Sequence, residues 1–336
     1  MDPVTQGALG AVLPQSLSDR RHAGMALSCG LLAGMAPDLD VLISSRQDPL
    51  LFLEYHRQFT HSLVFIPVGA AIVAAVLWGV WGRRRGWPPA LTYLFCLLGY
   101  ATHGLLDACT SYGTMLFWPF SDYRVAWNNV SIIDPLLTVP LIVAVVLART
   151  RRRRRPALIG MAWVIAYLSL GVLARDVARE AGAELAASRG HGPVAVDAKP
   201  SFANLLVWKT LYREGDRYYV DAVRIWPAKK VYRGDSVAAL NIEGDLPWLD
   251  RQSQQALDIE RFRWFSDGYL AMDAANPQRI VDLRYSLLPN EIRALWGLEL
   301  RRDAAPNEHA DYVVTRGSSR EALGHLLGMM SGVASD

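Results

Sequence analysis

The stretch RTRRRRRPALIGMAWVIAYLSLGVLA, residues 149–174, decides the fold. Six arginines open it, and residues 156–174 then run without a single charge. As a helix at about 1.5 Å per residue that run covers roughly 28 Å, close to the thickness of a bilayer's hydrocarbon core. A cationic flank ahead of an apolar run is how a spanning helix is anchored on the cytoplasmic side. After Ala174 the chain returns to mixed Arg, Asp, Glu, Tyr and Trp at globular density. The 51% hydrophobic and 20% charged content of the 336 residues therefore averages two unlike halves, 1–174 and 175–336. These values exclude a disordered chain, a collagen-like repeat and a coiled coil.

Working outward from that segment, residues 22–43, 62–82, 87–106 and 132–148 are apolar enough to span as well. Residues 4–17 are apolar but short, a half-span or re-entrant helix. The expectation is a polytopic α-helical membrane domain of about five spans plus that half-span, since backbone in lipid must satisfy its own hydrogen bonds. Arg20 and Arg21, Arg83–Arg85 and the 149–155 cluster fall between alternate spans, which makes all three cytoplasmic. The other connections, 44–61 and 107–131, carry only Arg46, Arg57 and Arg124 and lie outside. Residues 175–336 then form a soluble α+β domain on the outer side. Helices are predicted over 175–188, 252–265, 291–295 and 320–330, and strands over 205–212, 217–225, 237–242 and 269–272. The net charge of +3 is too small, and too concentrated at helix ends, to predict a nucleic-acid partner. Cys29, Cys96 and Cys109 all lie in apolar stretches with no CxxC pairing, so they read as buried hydrophobes.

Ionisable groups in or beside spans are costly and mark function by default. Here they are Asp38, Asp40, His61, His103, Asp107 and Asp134, and on this topology every one falls at the outer end of its span. His103 and Asp107 stand at i,i+4 and share a helix face, as two ligands of one metal must. Asp38 and Asp40 follow Pro37, and His56 and His61 close the outer loop. The expected ligands of one or two divalent ions are Asp38, Asp40, His56, His61, His103 and Asp107. Mixed imidazole and carboxylate donors suit zinc, with manganese or iron next. Two structural alternatives stand beside this. Asp134 precedes Pro135 and fits an N-cap as well as a general base. His103 and Asp107 could hydrogen-bond each other without metal. His22, far from the cluster, reads as a satisfied core histidine.

The motifs carry a family resemblance. MDPVTQG at residues 1–7, APDLD at 36–40, HRQFTHS at 56–62, HGLLD at 103–107, YGT at 112–114 and IIDP at 132–135 resemble the membrane-bound metal-dependent hydrolase family, the YdjM-like, LexA-binding, inner-membrane-associated hydrolases. The resemblance covers about residues 1–175. It implies a multi-pass protein of the bacterial inner membrane with a metal-dependent hydrolase activity. Many members carry His where this chain has Gln6, so a nitrogen donor is replaced by an amide.

Two functions follow from the residues. The first is a metal-dependent hydrolase at the outer membrane face, with Asp134 as orienting group or general base and Arg57 or Arg124 neutralising an anionic transition state. Its position at the membrane surface suits a lipid, or another amphipathic or phosphoester substrate. The second is non-enzymatic: a structural metal staples the helices, and the outer domain binds a protein partner or senses stress. A transporter would need ionisable groups at mid-membrane and on both sides, which this clustering on one side opposes.

Overall fold

The computed structural model describes residues 1–192, 194–315 and 319–333. The chain forms two compact units. One contains Met1–Ile43, Tyr55–Leu173 and Phe202–Asn204; the other contains Ser44–Glu54, Ala174–Ser201 and the chain from Leu205 onward.

The first unit is helical. Helix α1 (Pro3–Leu17) is capped by Asp2, whose carboxylate accepts from the Thr5 N–H. At 15 residues it is about 22 Å long, and most of its side chains are buried in protein. Helix α2 (Ala23–Met35) runs on through a 3-10 segment, Ala36–Leu42, entered at Pro37. The short α3 (Leu51–Tyr55) lies in the following loop. Helix α4 (Ile66–Leu77) passes through a π-turn, Trp78–Gly82, into α5 (Arg83–Arg85), which Gly86 ends in the left-handed conformation. Helices α6 (Pro89–Ala108), α7 (Pro135–Arg151) and α8 (Arg155–Ser188) follow.

Among the described residues four helical stretches are long and apolar enough to cross a membrane: Ala23–Leu42, Ile66–Arg85, Pro89–Ala108 and Arg155–Ser188. That is one fewer than the sequence predicts. The segment expected over 132–148 does form a helix, but Asp134 caps it, so α7 begins only at Pro135 and has 17 residues, the last turn carrying Arg149 and Arg151. His22 also differs from expectation. It is no core residue but a partly exposed one whose Nδ1 meets Asp19 Oδ1 at 2.8 Å.

Small residues set how closely the helices approach. A Cβ on Gly30 would meet the carbonyl oxygen of Gly10 at 2.2 Å, and one on Gly34 would meet that of Gln6 at 2.8 Å. Gly30 and Gly34 are one turn apart, so α1 lies directly against that face of α2, the packing that small residues permit inside membranes. The cluster of Ala26, Cys29, Ala33, Ala70, Phe95, Cys96 and Tyr100 seals α2, α4 and α6 together.

The second unit has two antiparallel sheets. In the first, β1 (Asp197–Pro200), β2 (Val207–Glu214), β3 (Arg217–Arg224) and β4 (Lys230–Tyr232) are neighbours in that order, and β5 (Ser236–Ala238) also pairs with β3. The Arg213-Glu-Gly-Asp-Arg217 turn makes β2 and β3 a hairpin, with Val207 opposite Arg224 and Glu214 opposite Arg217. The second sheet runs β6 (Leu270–Asp273), β7 (Asn276–Asp282), β8 (Trp296–Glu299), β9 (Asp311–Val314). Helices α9 (Ile242–Asp245), α10 (Gln254–Phe265) and α11 (Ser319–Ser331) complete it. The helix expected over 291–295 is absent: this stretch is extended, with a bridge between Ala294 and Ser286. The expected strand over 237–242 stops at Ala238, because Asn241 caps α9 through the N–H groups of Glu243 and Gly244.

Candidate metal centre

Four side chains from three separate stretches meet in the helical unit: Asp38, His61, His103 and Asp107. Asp38 lies in the 3-10 segment after α2, His61 ends a single 3-10 turn, Phe59–His61, and His103 and Asp107 stand one turn apart on α6. Gly104 makes the approach possible, since a Cβ there would lie 2.3 Å from the His61 carbonyl oxygen. His61, His103 and Asp107 are buried, and the Asp38 side chain is 21% exposed. A buried cluster of two histidines and two aspartates able to bind a divalent metal therefore lies within the membrane-embedded helices.

The proton positions follow from the partners. His103 Nδ1 is 2.6 Å from the Gly34 carbonyl, which can only accept, so Nδ1 carries the proton. His61 Nδ1 lies 2.9 Å from Thr60 Oγ1 and 3.2 Å from Asp40 Oδ2, while Thr60 Oγ1 donates to Asp40 at 2.8 Å. With Nδ1 engaged in each ring, Nε2 is the atom that each histidine turns to the cluster, and the two Nε2 atoms stand 3.0 Å apart. Two imidazole nitrogens at that distance share either a proton or a metal cation.

The spacing fits such a cation. Ligand bonds of about 2.0–2.1 Å in a tetrahedron put neighbouring donors about 3.3 Å apart. Beside the 3.0 Å between the histidines, His61 Nε2 is 3.2 Å from Asp107 Oδ2 and 3.6 Å from Asp38 Oδ1. His103 Nε2 is 3.3 Å from Asp38 Oδ1 and 3.5 Å from Asp107 Oδ2. Asp107 Oδ2, moreover, is buried and among the described residues accepts no hydrogen bond of good geometry, although the Arg57 guanidinium lies 3.2 Å away. Two imidazole nitrogens and two carboxylate oxygens converging at these distances are what a metal ligand set requires.

The other sequence candidates surround this cluster in different ways. Asp40 accepts from His56 Nδ1 at 2.7 Å, the Arg57 N–H at 3.0 Å and Thr60 Oγ1, and it faces His61 Nδ1. Its oxygens orient the histidines instead of joining the four donors. His56 turns its Nδ1 to Asp40 and packs edge-on against Tyr112, their ring centroids 5.6 Å apart. Arg57 is buried, with Nε 3.2 Å from Asp107 Oδ2 and Nη1 donating to Thr110 Oγ1 at 2.9 Å. Its backbone is left-handed, φ 65°, a conformation costly for a side chain of this size. The Asp40 bond to its N–H and the bond from the Met115 N–H to its carbonyl hold it there. Arg57 and Arg124 both lie over the ring of Tyr112, at 4.7 and 5.3 Å from its centroid. Arg124 also donates to the carbonyls of Tyr112 and Gly113.

Asp134 serves the helix terminus. It accepts from Leu136 N, Leu137 N and Tyr167 Oη, and it stands outside the four-residue cluster. Gln6 does reach the site: its Nε2 donates to Asp107 Oδ1 at 2.9 Å, and the Met1 amine donates to the same oxygen. The sequence reading did not assign roles to Thr60 as the link to Asp40 or to the Gly34 carbonyl. Thr60 stands beside His61 in HRQFTHS and was visible as a neighbour. No sequence signal singles out a backbone carbonyl.

Comparison with known proteins supports the same region. Residues 1–178 match the YdjM inner membrane protein family. Over 126 residues the chain is 32% identical to the inner membrane protein YbcI of Escherichia coli (strain K12), covering 36% of this chain and 69% of that protein. Over 142 residues it is 25% identical to the uncharacterized protein YfhP of Bacillus subtilis (strain 168), covering 42% of each, so the chain spans less than half the length of that relative. No solved structure is similar to it. With more than half of its residues matched, and with the helices to cross a bilayer several times, the chain belongs to the YdjM inner membrane protein family.

Proposed function

We propose that the protein is a membrane-embedded metal-dependent hydrolase whose centre opens at the outer membrane face, the side set by its arginines, and which acts on a lipid or another phosphoester. The observation that carries this reading is the pair of Nε2 atoms beside two carboxylates at ligand spacing. A divalent ion there, zinc first and manganese or iron next, would lower the pKa of a bound water toward about 7. Asp38, the one donor with an exposed edge, marks the side from which substrate and water arrive.

The chain's own residues supply the rest. Asp40 fixes His61 and His56 through their Nδ1 atoms and so aims both rings. Arg57 is the charge that decides substrate class. The buried guanidinium beside the ligand carboxylates places a positive charge where an anion such as a phosphoester would be held. Tyr112 holds Arg57 and Arg124 on one aromatic ring, where two cations can be presented to a phosphoryl oxygen. Asp134 is not needed as a base; its carboxylate caps α7.

One feature favours the structural alternative: four protein donors can complete a tetrahedron and leave no open position. The two readings separate in one experiment. Purified protein, assayed for metal and then for release of phosphate or alcohol from phosphoester lipids, should contain metal and turn over. Arg57→Gln should keep the metal and lose turnover. Metal without turnover on any phosphoester would favour the staple, and wild-type protein without metal would overturn both.

A further inference from the structure

At the other end of α1 from Gln6 lies a second, unrelated feature. A cavity of about 530 Å³ is lined by Leu17, Asp19, Arg20, Arg153, Arg154 and Arg155. Arg20 comes from the α1–α2 connection, Arg153 and Arg154 from the α7–α8 connection, and Arg155 is the first residue of α8. Among the described residues none of these four guanidinium groups has a carboxylate or a hydrogen-bond acceptor of its own. The one carboxylate on the wall, Asp19, is turned to His22, accepting from its N–H at 2.9 Å and meeting its Nδ1 at 2.8 Å. The partial positive charge at the start of the 34-residue α8 adds to theirs.

Anchoring a topology needs arginines near the interface; it does not need four exposed ones, from separate stretches of chain, to line one open polar cavity. We propose that this cavity binds the phosphate of an anionic phospholipid headgroup. Planar guanidinium groups match phosphate oxygens two at a time, and basic pockets at the ends of membrane helices are where acidic headgroups are held. The surroundings fit the rest of such a lipid. Leu17 is 62% exposed at the cavity, and Leu158 and Ile159, one turn along α8, are 48% and 70% exposed. They offer an acyl chain an apolar path away from the phosphate. A free phosphate would use the same guanidinium groups and none of this apolar surface.

The test uses the full-length protein in phosphatidylcholine nanodiscs doped with phosphatidylglycerol, reading the lipid retained by native mass spectrometry. Wild-type protein should retain phosphatidylglycerol in preference to phosphatidylcholine. The double variant Arg20→Gln/Arg154→Gln should weaken that preference about tenfold or more. Arg83→Gln/Arg84→Gln, which removes the same charge from a cluster outside the cavity, should leave it intact. Equal loss in both variants, or no headgroup preference in the wild type, would overturn the proposal. Millimolar inorganic phosphate should not displace the lipid; full displacement would make this a soluble-anion site and overturn the lipid assignment. The wild-type arms stand even if a variant fails to fold.

Discussion

In the helical unit, buried donors of like kind are brought together. In the sheet unit, buried charges are set against their opposites. Asp221 takes the Arg189 guanidinium at 2.6 Å, Asp258 takes Arg261 at 3.0 Å, and Asp282 takes Arg284 at 2.7 Å. Arg261 also joins α10 to the 44–54 loop of the same unit, through Asp48 at 2.8 Å and Glu54 at 2.5 Å. Each of those charges finds its partner within the chain, and that is how a fold tolerates buried ions. At Asp38, His61, His103 and Asp107 four ligand-type atoms converge on one point, and among the described residues only Asp107 has donors beside them, the Met1 amine, Gln6 and Arg57. A complete set of pairs reads as architecture; an unbalanced set of donors reads as a site for something from outside.

The contrast breaks most visibly at the metal ligands. His103→Ala removes one Nε2 and leaves its fellow without the ligand spacing. Elemental analysis should find metal in the wild type and essentially none in the variant, with the sheet unit still folded. Retention of metal would return the cluster to the status of an ordinary buried network. The matching variant in the sheet unit is Asp282→Ala. It strands the buried Arg284, which also donates to the Phe265 carbonyl at 2.8 Å. Breaking such a pair costs about 3–5 kcal/mol, so thermal unfolding of the sheet unit should fall sharply while metal content stays at the wild-type level.

A smaller effect tests Asp40. Asp40→Asn keeps the shape but loses the charge that faces His61 and His56. Removing an orienting carboxylate behind a metal-bound histidine weakens metal binding by about 10–100-fold. Competition with a chelator should show that loss without abolishing binding. If Asp40→Asn strips the metal as completely as His103→Ala, Asp40 is itself a ligand.

How far the site could be read from sequence follows the same division. His103 and Asp107 were legible because both their i,i+4 spacing and their cost in an apolar helix are properties of one segment. Asp38 and His61 were legible by depth, since topology brought their segments to one level. What separates Asp38 from Asp40 is hydrogen-bond direction across the α2 terminus and the His61 turn, and no linear pattern encodes that. The membrane helices announce themselves by length and apolarity, and the 132–148 run does form α7, whose start is moved to Pro135 by the Asp134 cap. In the sheet unit β2 and β3 were legible as strand-like runs either side of the Glu214-Gly-Asp turn, whereas β8 and β9, four residues each, are held by register with β7 and β8. Arg261 meets Asp48 across 213 positions of chain, a distance at which composition says nothing.

The smallest effect concerns the buried cation that departs from the sheet unit's pairing. Lys209 on β2 is 4% exposed and donates to Ser286 Oγ at 2.8 Å and the Glu291 carbonyl at 3.1 Å, with no carboxylate in contact among the described residues. Burial lowers its pKa to about 7; the charge of Asp282 opposes this, that of Lys199 adds to it, and Glu291 opposes it weakly. The unfolded chain holds this proton up to its ordinary value, 10.5, so between about pH 7 and that value it binds more protons than the folded protein does. Stability of the sheet unit should therefore rise with pH across this window, by an amount on the order of a few kcal/mol at most. Lys209→Met keeps much of the volume and removes the titrating group. It should flatten the rise and leave the unit more stable than wild type near pH 6, less the cost of the two hydrogen bonds lost, about 1 kcal/mol each. Unfolding followed by tryptophan fluorescence, to which Trp208, fully buried on the same strand, contributes, reads both slopes. An unchanged slope in the variant would mean that Lys209 stays charged in the fold, with a counter-charge drawn close to it.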